Sequence, residues 1–149
     1  MRRDAKAEGL RWLEQAEADR KGAQLLFDGG SYHLACFIAQ QTAEKALKAF
    51  LYARGEDLVI GHSVEALCRW AAELDAEFRQ LLEAVAPLDG YYVPTRYPNS
   101  LPDSIPARVY NRAAAEEALR LADQVLAIGA AKTSLTNPYF YATIAVFTN

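Results

Sequence analysis

The sequence has little of what membrane-spanning, secreted or metal-binding proteins require. No apolar run approaches the roughly 18 residues of a membrane-spanning helix, and no apolar signal-peptide core lies near the N-terminus. Cys36 and Cys68 are the two cysteines, and without C-x-x-C spacing we expect them to be free thiols. Together with His33 and His62 they match no usual zinc-ligand spacing, so we expect neither a metal nor a cofactor. The chain is therefore predicted to be soluble and cytoplasmic, with no membrane partner.

The sequence also lacks an excess of positive charge and a glycine-rich phosphate loop. The net charge of the 149 residues is -3, which argues against a chain-wide electrostatic grip on nucleic acid and leaves only a local basic patch. Gly29-Gly30 and Gly55 are typical of turns rather than of a phosphate loop. Any nucleotide binding would therefore depend on side chains.

Helical periodicity accounts for most of the chain, and 52% of the residues are apolar, enough for one core. We predict an all-α, antiparallel up-and-down bundle of four to five helices, occupying residues 1–129, followed by a C-terminal tail, 130–149. The expected helices are residues 7–27, Tyr32 to Arg54, a third that starts at the N-cap Ser63, a run from Asp75 that stops at Pro87, and Pro106 to Ile128 with Gly129 at its end.

A proline-rich segment, residues 89–106, separates the last two of these helices. Prolines at every fourth position exclude a helix, so we predict a long loop. Arginines and tyrosines alternate along and just after it, and they suit two roles: holding a phosphate while stacking on a base, or covering one end of the bundle. These residues are Tyr91, Tyr92, Arg96, Tyr97, Arg108, Tyr110 and Arg112.

A narrow polar stripe runs along the otherwise apolar second helix. Its members share an arc of roughly 100° and are Gln41, Glu44, Lys45 and Lys48. Such residues in mid-helix are expected to meet partners from other helices or from a second subunit. The alternative is an exposed Glu44–Lys48 pair that stabilises only the helix. Asp19 of the first helix either pairs with Lys45 or Lys48, or is solvated at the edge of its apolar face.

Several segments occur in a characteristic order. These are Trp12, Ala16 and Ala23, then ACFIAQQTAEKALKAFL at 35–51, GHSVEAL at 61–67 and TRYPN at 95–99. Together they resemble the HEPN domain family, of the prokaryotic type associated with nucleotidyltransferases. The resemblance covers Leu10 to Ile128 and leaves the tail outside.

This resemblance implies a homodimeric helical bundle, often paired with a small nucleotidyltransferase in toxin–antitoxin systems. Some members of the family are metal-independent ribonucleases that carry an Arg followed, after four to six residues, by a His. From Arg96 that His would fall at Leu101, Pro102 or Asp103, and none of these is His. Since an always-charged Arg transfers protons poorly, the missing His argues against ribonuclease activity.

Three functional hypotheses follow from the resemblance and the residues. The first is a binding module that lacks the usual ribonuclease His. Its ligand is a nucleotide, a nucleic-acid phosphate or a protein partner. The residues expected to bind this ligand are Arg96, Tyr97 and the polar stripe, Lys45, Lys48, Gln41 and Glu44. The second is a ribonuclease in which His62 or Tyr97 supplies the missing acid or base, although His62 equally suits a helix start with its ring bonded to nearby backbone. The third is a partner of a nucleotidyltransferase, with Tyr97 as a modification target.

Overall fold

The computed structural model describes residues 4–134, and this part of the chain is helical without a strand. The prediction of an all-α bundle is confirmed. The α-helices are α1 (Ala5–Asp28), α2 (Tyr32–Ala53), α3 (Val64–Leu74), the short α4 (Leu82–Val85) and α5 (Pro106–Val109), and α6 (Arg112–Ser134). None of the described helices is long and apolar enough to cross a membrane.

The second helix forms the centre of the bundle, as its nearly all-round apolar sequence predicts. Most residues of α2 from Ala35 to Leu51 are buried, because α1, α6 and α3 all pack on it. Its tight turn with α1 makes these two helices antiparallel, and Gly9 at the start of α1 lies against Ala53 near the end of α2. A Cβ atom at Gly9 would come within 2.7 Å of the Ala49 carbonyl oxygen, so glycine permits this approach.

The last helix differs from its prediction at both ends. Instead of one helix from Pro106, the chain forms α5, leaves helical geometry at Tyr110, and starts α6 at Arg112, where the Asn111 side chain accepts a hydrogen bond from the Ala114 amide. The predicted stop at Gly129 is wrong, because α6 continues to Ser134 and a Cβ at Gly129 would lie 2.9 Å from the Ala46 carbonyl oxygen. This glycine serves close helix packing rather than termination.

Helix α6 runs antiparallel to α1. Its first residue, Arg112, places its guanidinium 4.9 Å over the Phe27 ring at the far end of α1, and Asp123 pairs with Arg20 further along. Residues 130–134, the first of the predicted tail, belong to α6, and residues 135–149 of that tail lie outside the described residues.

The run predicted as one helix from Asp75 to Pro87 is instead a series of short turns. It comprises a 3-10 helix at Ala76–Leu81, α4, and a second 3-10 helix at Ala86–Tyr91 that includes Pro87. The predicted stop holds for α-helical geometry, since α4 ends at Val85, but the chain continues as a 3-10 helix because proline fits its first turn, where no amide donor is needed. The loop prediction for 89–106 holds in its middle, apart from a single 3-10 turn at Pro98–Ser100.

Candidate functional site

The polar stripe of α2 includes a charged pair that is buried. Glu44 and Lys48 are only 4% and 5% exposed, and the Lys48 ammonium lies 3.5 Å from Glu44 Oε2 and 5.6 Å from the centre of the Trp12 ring. The alternative of an exposed, merely helix-stabilising pair is therefore wrong. Burying both charges costs free energy that the pair only partly recovers, so further contacts must hold them.

The other oxygen of Glu44 binds His62. The Nδ1–H of His62 donates to Glu44 Oε1 at 2.9 Å, and the imidazole stacks on the Tyr92 ring with centres 4.6 Å apart. The backbone carbonyl of His62 accepts a hydrogen bond of 2.8 Å from the Gln40 amide. The expected bond between the ring and nearby backbone is thus replaced by one to a carboxylate. The side chain remains 57% exposed, so the oriented imidazole is open to a ligand.

The loop that carries His62 is fixed from the opposite side by Asp89. Ser63 caps α3 as predicted, since its hydroxyl accepts from the Ala66 amide. Asp89 in turn accepts hydrogen bonds from the Ser63 hydroxyl (2.8 Å) and from the Val64 amide (2.6 Å). A carboxylate at a helix start also suits the helix dipole. Because Asp89 belongs to the turn that leads to Tyr92, it joins the two segments that form the site.

Arg96 lies in a frame of aromatic rings. Its guanidinium carbon is 4.4 Å from the centre of the Phe37 ring, 4.8 Å from Tyr92 and 5.4 Å from Tyr97. Its Nε donates to the Tyr92 carbonyl oxygen at 2.7 Å. Within residues 4–134 no carboxylate pairs with it. We call Phe37, Tyr92 and Tyr97 the aromatic frame.

Of the remaining residues of the stripe, Lys45 contacts α1 and Gln41 contacts its neighbour Gln40. Lys45 forms an ion pair with Asp19, which confirms the cross-helix alternative, and Gln15 donates to the same carboxylate at 2.8 Å. Gln41 donates to the Gln40 side-chain oxygen at 2.7 Å. The structure therefore brings Glu44, His62 and Arg96 together, while Lys45 lies on the α1 side of the stripe.

This arrangement combines two chemical abilities. A carboxylate-bound imidazole has a fixed ring orientation and a second nitrogen, Nε2, for which the described residues supply no hydrogen-bond partner. An arginine without a carboxylate partner retains its terminal N–H groups for an anion such as phosphate. Between them lies Tyr92, whose ring contacts both side chains.

Two open clefts flank the first helix rather than the Arg96 site. One, of about 530 Å³, is lined by three acidic residues, Glu8, Glu56 and Asp57, together with Ala5, Arg11, Tyr52 and Gly55. The other, of about 260 Å³, lies between α1 and α2 and is lined by Arg11, Trp12, Gln15 and Lys45. No group of three or more potential metal-binding side chains occurs among the described residues.

Sequence reasoning missed two residues of the site, Phe37 and Asp89, and it named Tyr92 without its contact to His62. Phe37 precedes Gln41 by one helical turn, so extending the stripe toward the N-terminus would have found it. Asp89 and the stacking of Tyr92 on His62 gave no such signal, because these contacts join residues distant in sequence. Tyr91 and Tyr110 instead pack edge to face, 5.9 Å apart, and burial raises the pKa of both. These two tyrosines do cover one end of the bundle.

Comparisons with known proteins give a consistent result. The model of the HEPN domain family matches residues 10–132. The crystal structure of TT1696 from Thermus thermophilus is 44% identical, with a TM-score of 0.76, and the match covers 84% of this chain and 98% of that chain. ST0689, an archaeal HEPN homologue, is 32% identical, with a TM-score of 0.70 and coverage of 89% and 99%.

A third similar structure is that of the HEPN domain protein TM0613 from Thermotoga maritima. It is 28% identical, with a TM-score of 0.61, and the match covers 83% of this chain and 98% of that chain. No curated protein matches the sequence. The solved structures thus share the helical bundle over nearly their whole length.

Proposed function

The chain belongs to the HEPN domain family, and we propose that it is a HEPN module that binds the phosphate and a base of a nucleic acid at the Arg96–His62 site. The observation that carries this proposal is the Arg96 guanidinium, which lies in an aromatic frame without a carboxylate among residues 4–134. Phosphate is the natural partner for such a group, since it accepts two parallel hydrogen bonds from the guanidinium fork.

The surroundings of Arg96 favour a nucleotide over a simple anion. Tyr97 is 52% exposed beside the guanidinium and offers a ring on which a base can stack. His62 stacks on the same Tyr92 ring that Arg96 contacts, and its own ring orientation is fixed by Glu44. In this proposal Glu44 and Lys48 hold His62 and balance charge, while Gln41 supports Gln40, which binds the His62 carbonyl.

Two parts of the proposal come from the family resemblance. We propose that the protein is a cytoplasmic homodimer and that a small nucleotidyltransferase is its partner, as in toxin–antitoxin pairs. Light scattering of the purified protein tests the dimer. Co-purification with a neighbouring nucleotidyltransferase, together with a mass shift on Tyr97, tests the second part.

The binding proposal is tested by fluorescence anisotropy with a short single-stranded RNA. We expect binding by the native protein and a loss of about tenfold or more in Arg96→Ala, because a charge-assisted phosphate contact is removed. The matched control is Arg79→Ala, which removes an exposed arginine on a distant segment and should bind normally. Equal affinity for the native protein and Arg96→Ala would refute the proposal.

A second candidate, a ribonuclease, is favoured by one observation, the carboxylate–imidazole pair of Glu44 and His62. His62 Nε2 would accept the proton of a ribose 2'-hydroxyl as its oxygen attacks the adjacent phosphorus, and Arg96 would bind the phosphate oxygens. Tyr97 would protonate the departing 5'-oxygen. This arrangement replaces the His that is missing after Arg96.

Cleavage of a fluorescent RNA tests this candidate with the native protein and with His62→Ala and Arg96→Ala. Activity that is lost in both variants and retained in Arg79→Ala would support it. If RNA stays intact at high concentrations of folded native protein that still binds RNA, the ribonuclease candidate is refuted and only the binding function remains.

A further inference from the structure

The groove between α1 and α2, lined by Arg11, Trp12, Gln15 and Lys45, carries the groups that contact a nucleotide. Arginine and lysine bind phosphate oxygens, an indole ring contacts the face of a base, and a side-chain amide bonds to a base edge. We call it the α1–α2 groove. The groove shares Arg11 with the neighbouring cleft of about 530 Å³, but that cleft is also lined by Glu8, Glu56 and Asp57, which would repel phosphate.

The polar groups of the α1–α2 groove keep hydrogen-bonding capacity beyond their contacts within the protein. Arg11 is bound by Glu8 through Nε and Nη2 only, and its side chain is 55% exposed. Gln15 donates its amide to Asp19, which leaves the side-chain oxygen to accept. Lys45 also pairs with Asp19, but an ammonium has three donor hydrogens.

A continuous series of side-chain contacts joins this groove to the Arg96 site. From Trp12 it passes to the Lys48 ammonium (5.6 Å), and from Lys48 to Glu44 (3.5 Å). Glu44 binds His62 at 2.9 Å, and the His62 ring stacks on Tyr92 of the aromatic frame. Lys48 is buried and provides positive charge beneath this surface.

Charge and size indicate how the groove would be used. In the groove itself Arg11 and Lys45 are each paired with one carboxylate, Glu8 and Asp19, so its charge is balanced and a ligand would be bound through the hydrogen-bonding capacity that these groups retain. The groove volume, about 260 Å³, lies below the roughly 300 Å³ at which small-molecule pockets begin. It therefore suits one unit of a longer ligand held elsewhere.

We propose that the α1–α2 groove binds a nucleotide further along the strand whose phosphate is held at Arg96, beyond the reach of a dinucleotide bound there, so that the ligand is a single-stranded nucleic acid of several nucleotides. This inference rests on the proposed function and specifies its ligand. Recognition is by phosphate and base, which RNA and single-stranded DNA share.

The test measures the affinity of fluorescein-labelled RNA dinucleotide and hexanucleotide by anisotropy. We expect the native protein to bind the hexanucleotide about tenfold more tightly, because one further base and phosphate are contacted. Arg11→Glu should reduce hexanucleotide affinity to that of the dinucleotide while leaving dinucleotide affinity unchanged. The matched control is Arg69→Glu, which makes the same charge change at an arginine 60% exposed and likewise paired with a glutamate at 2.8 Å.

The outcomes separate this inference from the proposed function. Two results would refute binding at the groove without affecting the proposed function: equal affinities for the two oligonucleotide lengths, or equal losses of hexanucleotide affinity in Arg11→Glu and Arg69→Glu. In both cases binding of the dinucleotide would still depend on Arg96. No binding of either oligonucleotide would overturn both. Single-stranded DNA should show the same length dependence, and a dependence confined to RNA would contradict recognition by phosphate and base alone. Circular dichroism verifies that each variant is folded.

Discussion

At the residue scale, the site depends on charges that the fold buries or frames. Glu44 accepts from His62 and from Lys48, so one carboxylate orients the imidazole and neutralises a buried ammonium. Arg96 is used differently, since rings rather than carboxylates surround it. The polar stripe thus contains structural pairs, whereas the arginine available to an anion comes from the segment that follows Tyr92.

Removing the Glu44 charge should be costly for stability. Glu44→Gln leaves the buried Lys48 ammonium without its carboxylate, and we expect the free energy of unfolding to fall by about 3 kcal/mol. Urea denaturation measures this. The double variant Glu44→Gln, Lys48→Met should recover part of the loss, since it removes both charges. If Glu44→Gln alone is as stable as the native protein, the Glu44–Lys48 pair contributes nothing to the free energy of unfolding.

Both cysteines should be unreactive in the folded protein. Burial raises the pKa of the Cys36 and Cys68 thiols to about 11, so at pH 8 only about one thiol in a thousand is ionised, and neither is exposed. A disulfide reagent such as Ellman's reagent should therefore label them only after denaturation. Rapid labelling of either thiol in native protein would contradict the packing described for α2 and α3.

At the element scale, local signals predicted most of the structure. The bounds of α1 and α2 and the Ser63 cap follow from periodicity and turn residues, and they match to within one or two residues. One error occurs where tertiary packing outweighs a local signal, since Gly129 continues α6 because it contacts Ala46. Another is local, since Pro87 ends the α-helix but starts a 3-10 helix that was not predicted. For the candidate site, Arg96 and the stripe could be chosen from sequence, whereas the Tyr92 stack required the fold.

Two glycines of α1 provide a matched test of helix packing. Gly9→Ala places a Cβ 2.6 Å from the Ala53 Cβ and 2.7 Å from the Ala49 carbonyl oxygen, and should destabilise the protein by about 1–3 kcal/mol. Gly22→Ala meets nothing within 4 Å and should stabilise it by about 0.5–1 kcal/mol through helix propensity. Thermal denaturation measures both. Stabilisation by both substitutions would show that α1 and α2 are further apart.

At the scale of the whole molecule, few ion pairs join distant elements, and one group of them secures the end of the bundle. Near the end of α6, Lys132 lies 2.9 Å from Asp75 and 3.0 Å from Glu77, in the turn that follows α3. The hydrogen bond that Lys132 donates to Asp75 is the main reason why the pKa of Asp75 is lowered, and the hydrogen bond from the Glu77 amide lowers it further. The pair therefore connects the last helix to the chain between α3 and α4.

This pairing predicts a dependence of stability on pH. Because the pKa of Asp75 is lower in the folded protein than its usual value near 4, its contribution is complete above about pH 4 and is lost as pH falls through the folded value. Urea denaturation at a series of pH values should show that Asp75→Asn loses less stability than the native protein when the pH is lowered. Identical pH profiles for variant and native protein would refute this role.

The central claim, that Arg96 and His62 form one anion-binding site, is tested most directly by nuclear magnetic resonance. A short single-stranded RNA is titrated into labelled protein while the Arg96 Nε–H and the His62 ring are observed. We predict that these signals, with those of Tyr92 and Tyr97, shift most and together in the native protein, and that the His62, Tyr92 and Tyr97 signals do not shift in Arg96→Ala. Largest shifts around the acidic cleft near Glu56, with Arg96 unaffected, would contradict the account.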